Sequence, residues 1–117
     1  MGHFHQDVQL KAKKARTIRM VVDTGAAYSV IPDGVARSIG LARSQRSVLM
    51  TLAGGRRKRF DTGTAMFTIE GRRAPGIILV GDVEEPILGV ETLEVLGLAV
   101  DPKRGQLKPT RSWTIRV

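Results

Sequence analysis

At 117 residues the chain makes one domain with room for a single modest core. Its 42% hydrophobic and 26% charged residues favour folding over disorder, and the absence of cysteine excludes disulfides, thiolate metal sites and cysteine nucleophiles. The formal net charge of +8 suits an anionic partner, but only 4% of residues are aromatic and no nucleic-acid-binding motif is readable, so it reads as a basic, solvated surface.

In chain order, residues 1–10 alternate loosely around Phe4, Val8 and Leu10, which predicts an N-terminal strand, with the basic stretch 11–16 as a polar hairpin tip or a flexible lead-in. His3 and His5 lie two apart and share one face of that strand; without a third ligand they make a poor metal site and read as part of an exposed terminus. Residues 1–17 hold no signal-peptide core and no apolar run approaches about 18 residues, so a cytoplasmic protein without membrane association is expected. Residues 18–32, IRMVVDTGAAYSVIP, organise the rest. Ile18, Met20, Val21 and Val22 form an apolar, partly β-branched strand that stops at Asp23, followed by Thr24 and Gly25. A carboxylate at the end of a buried strand is costly unless it is paired, hydrogen-bonded or working, and Gly25 allows a tight loop and close backbone approach.

Asp33 is a plausible N-cap for a short helix over residues 34–39, closed by Gly40. Residues 46–53 read as a strand, Gly54 and Gly55 as a tight turn, residues 58–69 as the returning strand and residues 70–73 as a further turn. Residues 77–80 make a central strand and residues 91–96 a short helix ending at Gly97. Residues 98–101 and 106–108 form a hairpin around the turn 102–105, and residues 113–117 a closing strand. Short strands with glycine punctuation and two brief helices predict a mainly β domain, a barrel or folded sandwich.

A second Asp-Thr-Gly occurs at residues 61–63. Arg and Lys precede it rather than an apolar strand, and the chain between Asp23 and Asp61 is too short for a second lobe at about 8–12 residues per strand and turn. Asp61 therefore reads as a surface carboxylate on the returning hairpin arm near Arg57 or Arg59. The partner for Asp23 must then come from a second copy, with two carboxylates sharing a proton across a two-fold axis. One acts as base on water while the other donates to the scissile carbonyl oxygen.

The residues VVDTGA, then Val30-Ile31, the glycine hairpin, and Ile87-Leu88-Gly89 before a short helix resemble the retroviral-type (retropepsin-like) aspartic proteases, in their compact single-lobe form, over residues 17–109. The resemblance implies a closed β-barrel, a homodimer, a polypeptide substrate and no cofactor or metal. It makes Asp23 the catalytic aspartate, with Thr24 and Gly25 supporting the active loop. Gly25, Ala26, Ala27, Val30, Leu52, Ala53, Gly54, Gly55 and Ile87 would meet a substrate bound as an added strand, under a flap formed by residues 46–69. Gly89 would sit where the chain passes behind the active loop and no side chain fits. The family's acidic residues after DTGA are replaced by Ala27 and Tyr28, and its Arg after Leu-Gly by Val90-Glu91, so subsite preference and the bracing ion pair do not carry over. The basic cluster 56–59 fits either a charged hairpin edge that resists aggregation, a preference for acidic substrates or a processing site. The alternatives are a catalytically silent dimerisation or peptide-binding module of the same shape, and a basic nucleic-acid-binding β domain.

Overall fold

The computed structural model describes residues 3–44, 47–51 and 54–110. The fold is mainly β, with nine strands and two short helices among these residues. β1 (Phe4–Lys11) and β2 (Ala15–Val22) form an antiparallel hairpin over the tip at residues 12–14, in a register that sets Phe4 opposite Val22 and Lys11 opposite Ala15. β3 (Ser29–Ile31) leads into α1 (Asp33–Ser38). β4 (Val48–Thr51) and β5 (Arg57–Ile69) make the glycine hairpin, and β6 (Arg72–Val80) returns along β5. β7 (Ile87–Leu88) enters α2 (Val90–Leu96), and β8 (Leu98–Asp101) pairs with β9 (Gln106–Pro109) as a separate hairpin.

The main sheet runs β1-β2-β7-β3-β6-β5-β4, and a further pairing of β1 with β5 returns the sheet onto itself, leaving β4 outside the ring. β7 is inserted parallel to β2 and antiparallel to β3, so the strands on either side of the Asp23 loop meet on a two-residue strand.

Period-two alternation divides the side chains between two apolar clusters. Ile31, Ile78 and Val80 enter the main core with Val8, Leu10, Met20 and Phe67. Their neighbours Val30 and Leu79 point the other way and join Phe60 in a smaller cluster, against which Tyr28, Met50, Val83 and Ile87 pack. Val30 and Ile31 thus serve a cleft and the core respectively. The main core closes one end of the sheet with α2, whose Leu93 and Leu96 are buried and whose chain turns at Gly97 in the left-handed region (φ 67°).

Several expectations need correction. The α1 N-cap is Pro32 and carries no side-chain bond; Asp33 lies inside the first turn, with its carboxylate on Arg43 and Arg37. β6 begins at Arg72 rather than Ile77, because Glu70 and Gly71 (φ 48° and 81°) complete the reversal in two residues and the ladder resumes with Ile69 opposite Arg72. The segment 113–117 and residues Arg46, Leu52 and Ala53 lie outside the described residues.

Candidate active site

β2 ends in a turn that holds Asp23. The Asp23 N–H donates to the Leu88 carbonyl at 3.1 Å, and its own carbonyl accepts from Ala26 N–H at 3.1 Å. Asp23 Oδ1 accepts the Gly25 N–H at 2.9 Å, so the loop backbone fixes the carboxylate's orientation. A Cβ on Gly25 would stand 3.2 Å from that oxygen, close enough to disturb the bond. Thr24, Gly25 and Ala27 are exposed at the surface of the chain.

The loop is braced from behind by the start of α2. Val90 N–H donates to Ala26 carbonyl at 2.9 Å and Glu91 N–H to Ala27 carbonyl at 3.0 Å. Gly89, just before them, passes so close to the loop that a Cβ there would lie 2.4 Å from the Tyr28 carbonyl carbon. Two buried hydroxyls complete the brace. Ser29 Oγ accepts from Gly89 N–H at 3.0 Å and shares a hydrogen bond with Thr92 Oγ1 at 2.6 Å. Neither was singled out from the sequence. A hydroxyl three residues after an apolar-Leu-Gly, opposite another on a buried strand, was the available signal.

In front of Asp23 lies a cleft of about 490 Å³, lined by Gly25, Ala26, Ala27, Tyr28, Val30, Met50, Thr51, Phe60, Leu79, Val83 and Ile87. Five of the anticipated substrate-contact residues, Gly25, Ala26, Ala27, Val30 and Ile87, line it together with Asp23. Thr24, Gly54 and Gly55 do not; the two glycines stand exposed at the hairpin tip with φ 86° and 80°. The apolar wall of Tyr28, Met50, Phe60, Leu79 and Val83 is an addition to the expected set. Phe60 preceded the second Asp-Thr-Gly and alternates with it, which puts the phenyl ring into the cleft and Asp61 on the opposite face of β5. Tyr28, Met50 and Leu79 are shared with an adjoining apolar hollow of about 520 Å³ that contains no carboxylate.

Asp61 lines neither. It pairs with Arg43 at 3.3 Å, and not with Arg57 or Arg59 as expected, because residues 41–44 cross β5 there and Ser44 N–H donates to Thr62 carbonyl at 2.7 Å. Arg43 also pairs with Asp33, and that hydrogen bond, with the nearby Arg37, holds the Asp33 carboxyl below the usual carboxylate range, against partial burial. The same bond raises Arg43 above the ordinary guanidinium value. The two anticipated surface histidines each face an acid, His3 toward Asp23 and His5 toward Glu85.

Chemically, the arrangement offers one oriented carboxylate on the floor of an apolar cleft, with extended backbone on both sides. No curated protein matches the sequence. Among solved structures, the fold matches that of the EIAV protease in complex with the inhibitor HBY-793, with a TM-score of 0.66 and 22% identity over 82% of this chain and 89% of that one. A family model described as "gag-polyprotein putative aspartyl protease" matches residues 8–95. The chain belongs to this retroviral-type aspartyl protease family.

Proposed function

We propose that the protein is an aspartic endopeptidase that works as a homodimer, each copy supplying Asp23. The observation that carries this reading is the lone carboxylate. Asp23 is the only one among the described residues lining the cleft, and it is held by its own loop with neighbouring surface exposed. One carboxylate cannot both activate water and protonate a carbonyl oxygen in the same step. Two related by a two-fold axis can, since close carboxylates share one proton. The ionised member takes a proton from water, which attacks the scissile amide carbon, while the protonated member donates to the carbonyl oxygen. Water is the nucleophile and no cofactor enters.

The remaining parts follow from this arrangement. Thr24, exposed beside the axis, hydrogen-bonds the opposite active loop. Gly25, Ala26 and Ala27 offer backbone to a polypeptide lying in the cleft as an added strand, and Val30 and Ile87 shape its apolar floor. The β4–β5 hairpin is the flap; Gly54 and Gly55 at its tip can approach the substrate backbone. The shared proton sets an activity maximum at mildly acid pH.

The test is cleavage of a mixed peptide library between pH 3 and 8 by the wild type and by Asp23→Asn at equal concentration. Activity that disappears in the variant and rises faster than linearly with protein concentration is the expected result. A folded wild-type dimer that cleaves nothing would replace the enzyme with a peptide-binding module.

A further inference from the structure

The β1–β2 ladder ends with Phe4 opposite Val22, and His3 and Asp23 are the next residues on the two chains. The imidazole Nε2 stands 3.7 Å from Asp23 Oδ1, the same oxygen that accepts the Gly25 N–H. The strand end is anchored independently: two residues along the same face, His5 Nε2 meets Glu85 Oε2 at 3.2 Å, in the segment that leads into β7 and carries the cleft residue Val83. The titratable groups facing this corner are therefore Asp23 from the end of β2, His5 from β1 itself and Glu85 from the segment before β7. Farther along the same wall Lys58 and Asp82 pair with each other.

We propose that His3 is a positioning residue of the active site, its imidazolium being the counter-charge that lets two Asp23 carboxylates come together across the subunit boundary. The inference rests on the dimeric reading above. Bringing two carboxylates into contact is opposed by their repulsion even when one proton is shared. A cation beside each offsets that repulsion where it arises, at a partly exposed site with side-chain accessibilities of 59% for His3 and 32% for Asp23. Gln in place of His3 keeps a polar side chain but never carries the charge.

The experiment is sedimentation velocity over a concentration series for wild type, His3→Gln, Asp23→Asn and the double variant, at pH 5.5. His3→Gln should weaken the dimer about three- to tenfold at pH 5.5, the range for two partly exposed charge pairs. The deficit should vanish when both proteins carry Asp23→Asn, because no carboxylates then need a counter-charge. An equal loss in the Asp23→Asn background would make His3 a structural residue only and overturn the proposal. So would a dissociation constant at pH 5.5 that His3→Gln leaves unchanged, with the dimeric reading intact. A wild type that stays monomeric throughout would remove the dimeric reading and the inference together.

Discussion

Replacing Gly89 by alanine adds one methyl group at the point where the chain runs behind the active loop. The new Cβ would lie 2.4 Å from the Tyr28 carbonyl carbon and 2.5 Å from its oxygen. Both are backbone atoms, so no side-chain rotation relieves the contact; α2 and the loop must separate by about 1 Å to reach ordinary van der Waals distance. Three hydrogen bonds span that gap, Val90 N–H to Ala26, Glu91 N–H to Ala27 and Gly89 N–H to Ser29 Oγ, at 2.9, 3.0 and 3.0 Å. Overpacking costs about 1–3 kcal/mol, and each of the three bonds lengthened beyond use adds about 1 kcal/mol, giving about 4–6 kcal/mol in all. Against a typical total of about 5–15 kcal/mol, the variant should be severely destabilised. Urea unfolding followed by circular dichroism measures this directly as a fall in midpoint at unchanged slope. Cleavage should fall as well, since the displaced loop carries Asp23. A loss below about 1 kcal/mol with unchanged cleavage would show that the brace does not position the loop, and the argument from Gly89 would fail.

Three further outcomes are expected. Asp61→Asn should leave peptide cleavage within about twofold of wild type, because its carboxylate pairs with Arg43 outside the cleft, whereas a large loss would return Asp61 to the catalytic set. Ser29→Ala should cost about 1–3 kcal/mol in urea unfolding by leaving Gly89 N–H and the Thr92 hydroxyl unpaired in the interior, and Thr92→Val should cost less because Ser29 keeps its bond to Gly89; the reverse order would contradict the hydrogen-bond assignment. The Asp33 carboxyl, depressed by its hydrogen bond to Arg43 and by Arg37, contributes stability that is present above the unfolded carboxylate range and lost as pH falls through the folded value. The stability gap between wild type and Asp33→Asn should therefore narrow between pH 6 and pH 3 in urea titrations, and a constant gap would contradict the linkage.

The fold was legible where one residue type decides the local outcome. An apolar strand stopping at Asp23, glycines at the hairpin tip and Gly97 after a helical turn each have a single physical reading, and the structure follows them. β6 was harder, because Arg72, Arg73, Pro75 and Gly76 hide a strand whose pairing comes from β5 alongside, not from its own propensity. The N-cap of α1 was misread for a related reason. Asp33 is a good capping residue by type, but Arg43 draws its carboxylate away, and Pro32 supplies the extended backbone that starts the helix.

The site divides along the same line. Asp23 and Gly25 are bound by local geometry and could be named from the chain, whereas Gly89 was named through the family resemblance, its constraint being the distant Tyr28 backbone. Phe60 on β5, Leu79 on β6 and Tyr28 in the bend before β3 reach the cleft only because distant segments come together, and no short window of sequence contains that fact. Asp61 shows the converse, since an identical triplet on a different strand face, with Arg43 beside it, lies outside the cleft. What separates the two triplets is therefore their support. Residues 23–25 are held by β7, by the start of α2 and by the buried Ser29–Thr92 pair, while residues 61–63 run through the middle of a continuous strand with no turn to present a carboxylate. A carboxylate set on a braced turn, beside exposed Thr24 and Gly25 and across from His3, is suited to meet a second copy of itself, and that match of rigid backbone to open surface is what the dimeric proposal rests on.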